Sequence, residues 1–258
     1  MIETGAIPVI EFNEPATIRL VSTAYLEEPA MSPLADSADE LGFLEDIEGL
    51  TSARRGFQAP LPGGVRPEEL LSEHDGYGWS YVNAAFCYTR PTGNRFNWPE
   101  RGAWYAAWGA NAVKTAHAEV SWHLTRELEA TGVYENVTAY RELIAGFTVR
   151  FHDLRAFQGE TLFDPDPVKG YPAGQALARE LFLAGSQGVI YRSVRMARGR
   201  MAKGRMSEGY GAKGHGAGQC LAAFRPHVVQ NVRQGDSWEF TWTGAPRPAI
   251  RKLETPSS

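Results

Sequence analysis

Apolar and polar positions along the chain change period several times, and the changes mark out a mixed set of helices and strands. Residues 1–35 read as an extended entry segment, with PVIEF (8–12) and TIRLVS (17–22) as two short strands separated by Pro and Glu. In SADELGFLEDIEGLTSARR (37–55), Ser37 and Glu40 make a capping box, and Leu41, Leu44 and Ile47 follow at helical spacing. This predicts a helix near 38–51. Residues 57–77 read as loop with room for one short helix. WSYVNAAFCY (79–88), largely apolar, reads as a buried strand. A turn at PTGN (91–94), a strand start at RFN (95–97), a loop at WPERG (98–102) and the strand AWYAAW (103–108) follow. Ala112, Val113, Ala116, Val120, Leu124 and Leu128 then predict a helix over about 110–130, stopped by Gly132.

The second half gives a strand near 145–154 and a loop at Pro165, Pro167 and Pro172. A short helix in GQALARELFLAGSQG (174–188) and strands at GVIYRS (188–193), LAAFRP (221–226) and SWEFTWTG (237–244) complete it. No repeat or low-complexity linker divides the chain, so the pattern predicts an α+β fold built on one core. Its parts are an N-terminal extension (1–77), a core (78–230) and a Gly-rich insertion (195–219).

Composition narrows the function classes. The chain has 258 residues, a formal charge of −4 and 43% hydrophobic residues, as soluble globular proteins do. The acidic balance argues against a general nucleic-acid binder. Met1 is followed by IETGAIPVIEF, which has neither the basic start nor the apolar stretch of a signal peptide. No apolar run approaches the roughly 18 residues of a membrane span. Cys87 and Cys220 are far apart with no CxxC, so they read as two reduced core thiols of a cytoplasmic protein.

The insertion runs against the acidic balance. Between 195 and 213, Arg195, Arg198, Arg200, Lys203, Arg205 and Lys213 stand against Glu208, a local +5. It reads as a surface loop between two strands. GYGAKG (209–214) matches GxGxxG, but no strand precedes it and no helix opens after it, so it lacks the context of a dinucleotide fingerprint. His117, Glu119 and His123 are the candidate metal ligands. Residues two apart on a helix diverge by about 200°, so only Glu119 and His123 share a face, and two ligands do not make a zinc site. No metal is expected.

Four residues carry the candidate chemistry: Arg95, Tyr105, Glu119 and Ser193. Each also has an ordinary structural reading: a solvated turn arginine, a core tyrosine, a glutamate at the edge of a buried face, a strand-end serine. Together they are the groups needed to hold and cleave an N-glycoside of a dinucleotide. Arginine pairs with a diphosphate, tyrosine stacks or bonds a ribose, and glutamate stabilises an oxocarbenium-like charge. Serine can bind a carboxamide or a phosphate.

GNRFNWPERGAWYAAWGANAVKTAHAEVSWH (93–123) resembles the core signature of the RES-domain family, and GVIYRSVR followed by GQCLAAFRP resembles its second signature. By motif, Arg95, Glu119 and Ser193 match the three residues that name the family, and Tyr105 its tyrosine. The segment LADSADELGFLEDIEGLTSARR (34–55) resembles the extension of the ParT-like branch. The resemblance, over about 35–226, implies a fold similar to ADP-ribosyltransferase toxins. It also implies a toxin of a toxin–antitoxin pair, with a cognate antitoxin as partner and NAD+ as substrate. The expected reaction is hydrolysis or phosphorolysis of NAD+; the alternatives are ADP-ribosylation of a protein such as phosphoribosyl pyrophosphate synthetase, or a non-catalytic module that binds NAD+ or a partner. Two departures stand out: Asn94 replaces a glycine common before the arginine, and the loop after Ser193 carries about 15 to 20 extra residues. Arg95→Ala is expected to weaken NAD+ use and leave the fold intact.

Overall fold

A computed structural model describes residues 2–25, 61–157, 159–196 and 217–254. The helix expected near 38–51 and most of the 195–219 insertion lie outside these residues. The fold is α+β. Seven strands, β1 (Val9–Ser22), β2 (Trp104–Trp108), β3 (Glu135–Asp153), β4 (Gly188–Arg192), β5 (Gln219–Ala223), β6 (Gln230–Thr243) and β7 (Ala249–Leu253), form one sheet in the order β1-β2-β5-β4-β3-β6-β7. Because β1 also pairs with β3, the first five strands close on themselves and β6–β7 extend from the long β3. β3 is parallel to β4 and antiparallel to its other partners.

Three of the expected elements are corrected. WSYVNAAFCY is not a strand: Trp79–Cys87 is helix α1. Its buried residues, Val82, Asn83, Phe86 and Cys87, recur at i, i+1, i+4, i+5, the stripe of a helix, but Trp79, Tyr81, Ala84 and Ala85 on the partly exposed side mask the period. PVIEF and TIRLVS are not two strands but one, and Pro15 sits at a bulge between Glu14 and Thr17, where no ladder donor is needed. The loop expected at 165–172 is the first part of helix α3, Pro167–Leu183. Asp166 caps it by accepting from Val168 N at 3.0 Å, and Pro167 occupies the first turn, where a missing N–H costs little. Pro172 is carried by packing of Leu177, Ala178 and Leu181 against the sheet. Helix α2 runs Ala112–Thr131 and ends at left-handed Gly132, as the pattern predicts.

Phe12, Trp104, Leu143, Phe147, Phe151, Ile190 and Leu221 pack with Val82 and Phe86 of α1 as one core cluster. A second lies between the sheet and α3, and a third, with Ile18, Ala107, Ala112 and Ala116, seats α2 on β1 and β2. Buried Arg101 ties residues 61–75 to this body: it donates to Gly64 O at 2.6 Å and Phe224 O at 2.8 Å, and pairs with Glu69. Among the described residues no helix is long and apolar enough to cross a membrane.

Candidate active site

Arg95 does not begin a strand. Residues 94–101 make two isolated bridges, Asn94 with Asn97 and Trp98 with Arg101, so the chain turns twice in succession instead of entering a ladder. Gly93 permits the first turn: its φ of 63° is left-handed, and a Cβ there would lie 2.4 Å from Asn97 O. The turns point Phe96 into the second core cluster and bury Arg95 to 6% exposure. Arg95 donates to the carbonyls of Leu162 and Asp164, and its guanidinium lies 5.3 Å from the centre of the Tyr171 ring. Helix α3 makes room for it with Gly170 and Gly174, one turn apart. A Cβ at Gly174 would lie 2.3 Å from Arg95 O, and one at Gly170 2.6 Å from Arg95 Nη1. Gln175 then holds the turn through Thr92 O at 2.8 Å and Asn94 O at 2.9 Å. Arg95 is therefore not a solvated turn arginine. Its Ala variant would leave the carbonyls of Leu162 and Asp164 without this partner, so Arg95→Ala costs fold stability as well as the cation, contrary to the intact fold expected from sequence.

Tyr105, on β2, meets the same turn. Its hydroxyl accepts from Phe96 N at 2.8 Å and donates to Asn97 Oδ1 at 3.1 Å. Burial raises the phenol's pKa, so it remains a neutral donor.

Glu119 projects from the middle of α2. Ser193, at the end of β4, is fully buried, and its Oγ donates to Glu119 Oε1 at 2.6 Å. The same Oγ accepts from Arg195 N at 3.2 Å and Met196 N at 3.0 Å, so the hydroxyl is fully engaged. Burial pushes the Glu119 carboxyl above its ordinary range; the Ser193 hydrogen bond and the charges of Arg195 and Arg95 oppose that. Arg195 stacks on Trp122, 3.2 Å from the ring centre, and donates to Pro165 O at 2.8 Å.

Arg95, Tyr105 and Glu119 line one cavity of about 330 Å³, at the low end of the range for ligand sites. Ser193 is not among its lining residues; it holds Glu119 from behind. Four arginines line the cavity (Arg19, Arg90, Arg95 and Arg195) against two glutamates, Glu119 and Glu127. Glu127 is paired with Arg90 at 2.7 Å. The remaining wall is thus positive around one held carboxylate, an arrangement suited to an anionic ligand with one electron-poor centre. His123 also lines it, and burial holds its pKa down to about 3, so it is neutral. His117 packs edge-on against Trp238 with ring centres 4.4 Å apart. Among the described residues no group of three or more His, Cys, Asp or Glu is placed to hold a metal ion.

Tyr171 is not legible from sequence, because Pro165, Pro167 and Pro172 make its stretch read as loop; nor is Arg19, whose strand alternation places it opposite Ile18 and Leu20 without showing what it faces. Arg195 was counted with the basic insertion, although it belongs to the cavity. The family model for the RES domain matches residues 71–243, a span that holds Arg95, Tyr105, Glu119 and Ser193. A search of curated proteins found no match.

Proposed function

The chain belongs to the RES-domain family, and from that premise we propose that its cavity binds NAD+ and breaks the bond between nicotinamide and ribose. The family carries a toxin-like, NAD-related function; the reaction and the residue roles are our reading. The observation that supports it most is Glu119: a carboxylate held by Ser193 at 2.6 Å inside a cavity whose other unpaired charges are arginines. The C1′–nitrogen bond breaks heterolytically, its electron pair leaves with nicotinamide, and the ribosyl carbon develops positive charge. Glu119 is the one unpaired anion of the wall to meet that charge. Arg95 and Arg195 supply cations for the diphosphate. The Tyr105 ring lines the pocket while its hydroxyl keeps the Arg95 turn in place.

The acceptor in this reading is water, inorganic phosphate or a protein side chain. Loss of NAD+ is what makes the chain a toxin, acting in the cytoplasm and held in check by a cognate antitoxin. The test is nicotinamide release from NAD+ by the purified chain, with Glu119→Gln alongside. Turnover that falls at least about 100-fold in a folded Glu119→Gln variant is expected; turnover at the wild-type rate overturns the assignment. Free ADP-ribose, its 1″-phosphate or a labelled protein among the products then separates the three acceptors.

A further inference from the structure

β1 and β2 pair at a single position, Ile18 with Ala107. Antiparallel register would next bring Leu20 to Tyr105, but no pair forms there. The open seam is occupied by Arg19. Its Nη1 donates to Tyr105 O at 3.2 Å, its guanidinium lies 4.9 Å from the Trp104 ring centre, and it lines the cavity. A guanidinium has five N–H donors, and a described partner takes one.

Arg19 has no carboxylate partner among the described residues. The two acids of the cavity are engaged elsewhere, Glu127 with Arg90 and Glu119 with Ser193. A half-buried cation without a counter-ion is costly unless something completes it. Burial lowers its pKa only to about 10, so the charge is kept at neutral pH. Arg19 also lies outside residues 71–243, the span that matches the RES model.

We propose that Arg19 is a ligand-binding residue of this cavity, contributed by β1, whose guanidinium fork holds a phosphate-class oxyanion. This rests on the NAD+ reading, and the oxyanion is either the diphosphate of NAD+ or free inorganic phosphate serving as acceptor. Fork-to-oxyanion geometry adds about 10- to 100-fold in affinity for a charge-assisted contact.

Steady-state nicotinamide release by the full chain, with NAD+ and inorganic phosphate varied in turn, tests it. Arg19→Gln is expected to raise KM for NAD+ about 10- to 100-fold and to change kcat far less. Arg19→Lys, which keeps the charge and loses the fork, is expected to fall between it and wild type. A normal KM for NAD+ with a matching rise in half-saturating phosphate supports the proposal and identifies free phosphate as the oxyanion. Both values unchanged, in a variant that melts as wild type does, overturn it. If Arg19→Gln does not fold, Arg19→Lys decides: wild-type values for both overturn the proposal. If wild type releases no nicotinamide, the NAD+ reading fails, and calorimetric binding of inorganic pyrophosphate then judges Arg19. Weaker binding by Arg19→Gln, or by Arg19→Lys if the former does not fold, supports it. Equal binding, or none by wild type, overturns it.

Discussion

Ser193 Oγ donates to Glu119 Oε1 at 2.6 Å, joining the end of β4 to the middle of α2 across 74 positions of sequence. The bond acts on the charged form of Glu119, against the burial that favours the neutral form. In Ser193→Ala that opposition weakens and the Glu119 pKa rises further. The limb of the pH–rate profile that reports ionised Glu119 moves to higher pH, and kcat at neutral pH falls about 10- to 100-fold. A pH–rate series on both proteins checks this; a limb that does not move means that Ser193 leaves the ionisation of Glu119 alone.

Tyr105→Phe keeps the ring and deletes two hydrogen bonds to the Arg95 turn. Phe96 N is left without its partner inside the fold. The expected cost is about 1–3 kcal/mol in urea unfolding, together with a higher KM for NAD+, because the turn that carries Arg95 loosens. Full stability with normal KM would show that the hydroxyl is not what sets the turn.

Gly174→Ala should be among the more damaging single methyl additions. The new Cβ would meet Arg95 O, a backbone atom that cannot swing aside, at 2.3 Å. Overpacking of this kind costs about 1–3 kcal/mol, and here it also pushes the Arg95 turn off α3. Gly159→Ala, where nothing lies within 4 Å of the added Cβ, is the control and should melt as wild type does. Paired thermal melts of the two variants decide it.

His117 is buried at 8% exposure among aromatic rings, and burial lowers its pKa to about 4 from an ordinary 6.5. Between those values the unfolded chain binds a proton that the folded one does not. The His117 contribution to stability is therefore complete above about pH 6.5 and is lost as the pH falls towards 4. His123, His152 and His227 are shifted in the same direction, so the measurement is a difference. The urea midpoint of wild type should fall relative to that of His117→Phe as the pH drops from 6.5 towards 4, and a constant gap between them would contradict the shift.

Local signals were sufficient for the elements that carry them. α2 with its Gly132 stop, and the strands expected at 103–108 and 188–193, were legible because their periodicity and punctuation lie in neighbouring residues; of the strand expected at 221–226 only Leu221–Ala223 pairs, since the chain turns at Phe224–Pro226. α1 was not, since apolar residues on both its sides hide the period until one side meets Leu71 through Asn83 and the core through Phe86. The first turns of α3 were not, since Pro167 and Pro172 suit a loop equally well until the sheet packs on the helix. β7 reads as polar tail because its strand character comes from the β6 ladder, with Arg251 opposite Glu239.

For the site, sequence alone determined which groups were present, and the ordered motif around them pointed to the RES-domain family. Tertiary structure decided what each group does. It buried Arg95 against two glycines of α3 and spent the Tyr105 hydroxyl on the Arg95 turn. It placed Ser193 behind Glu119 instead of in the cavity, and brought Arg19 into the wall from a strand 86 positions away from its carbonyl partner. Residue type and spacing reach only as far as one helical turn or one strand. Burial, charge compensation and hydrogen-bond partners are set by chain segments that meet only when the sheet closes.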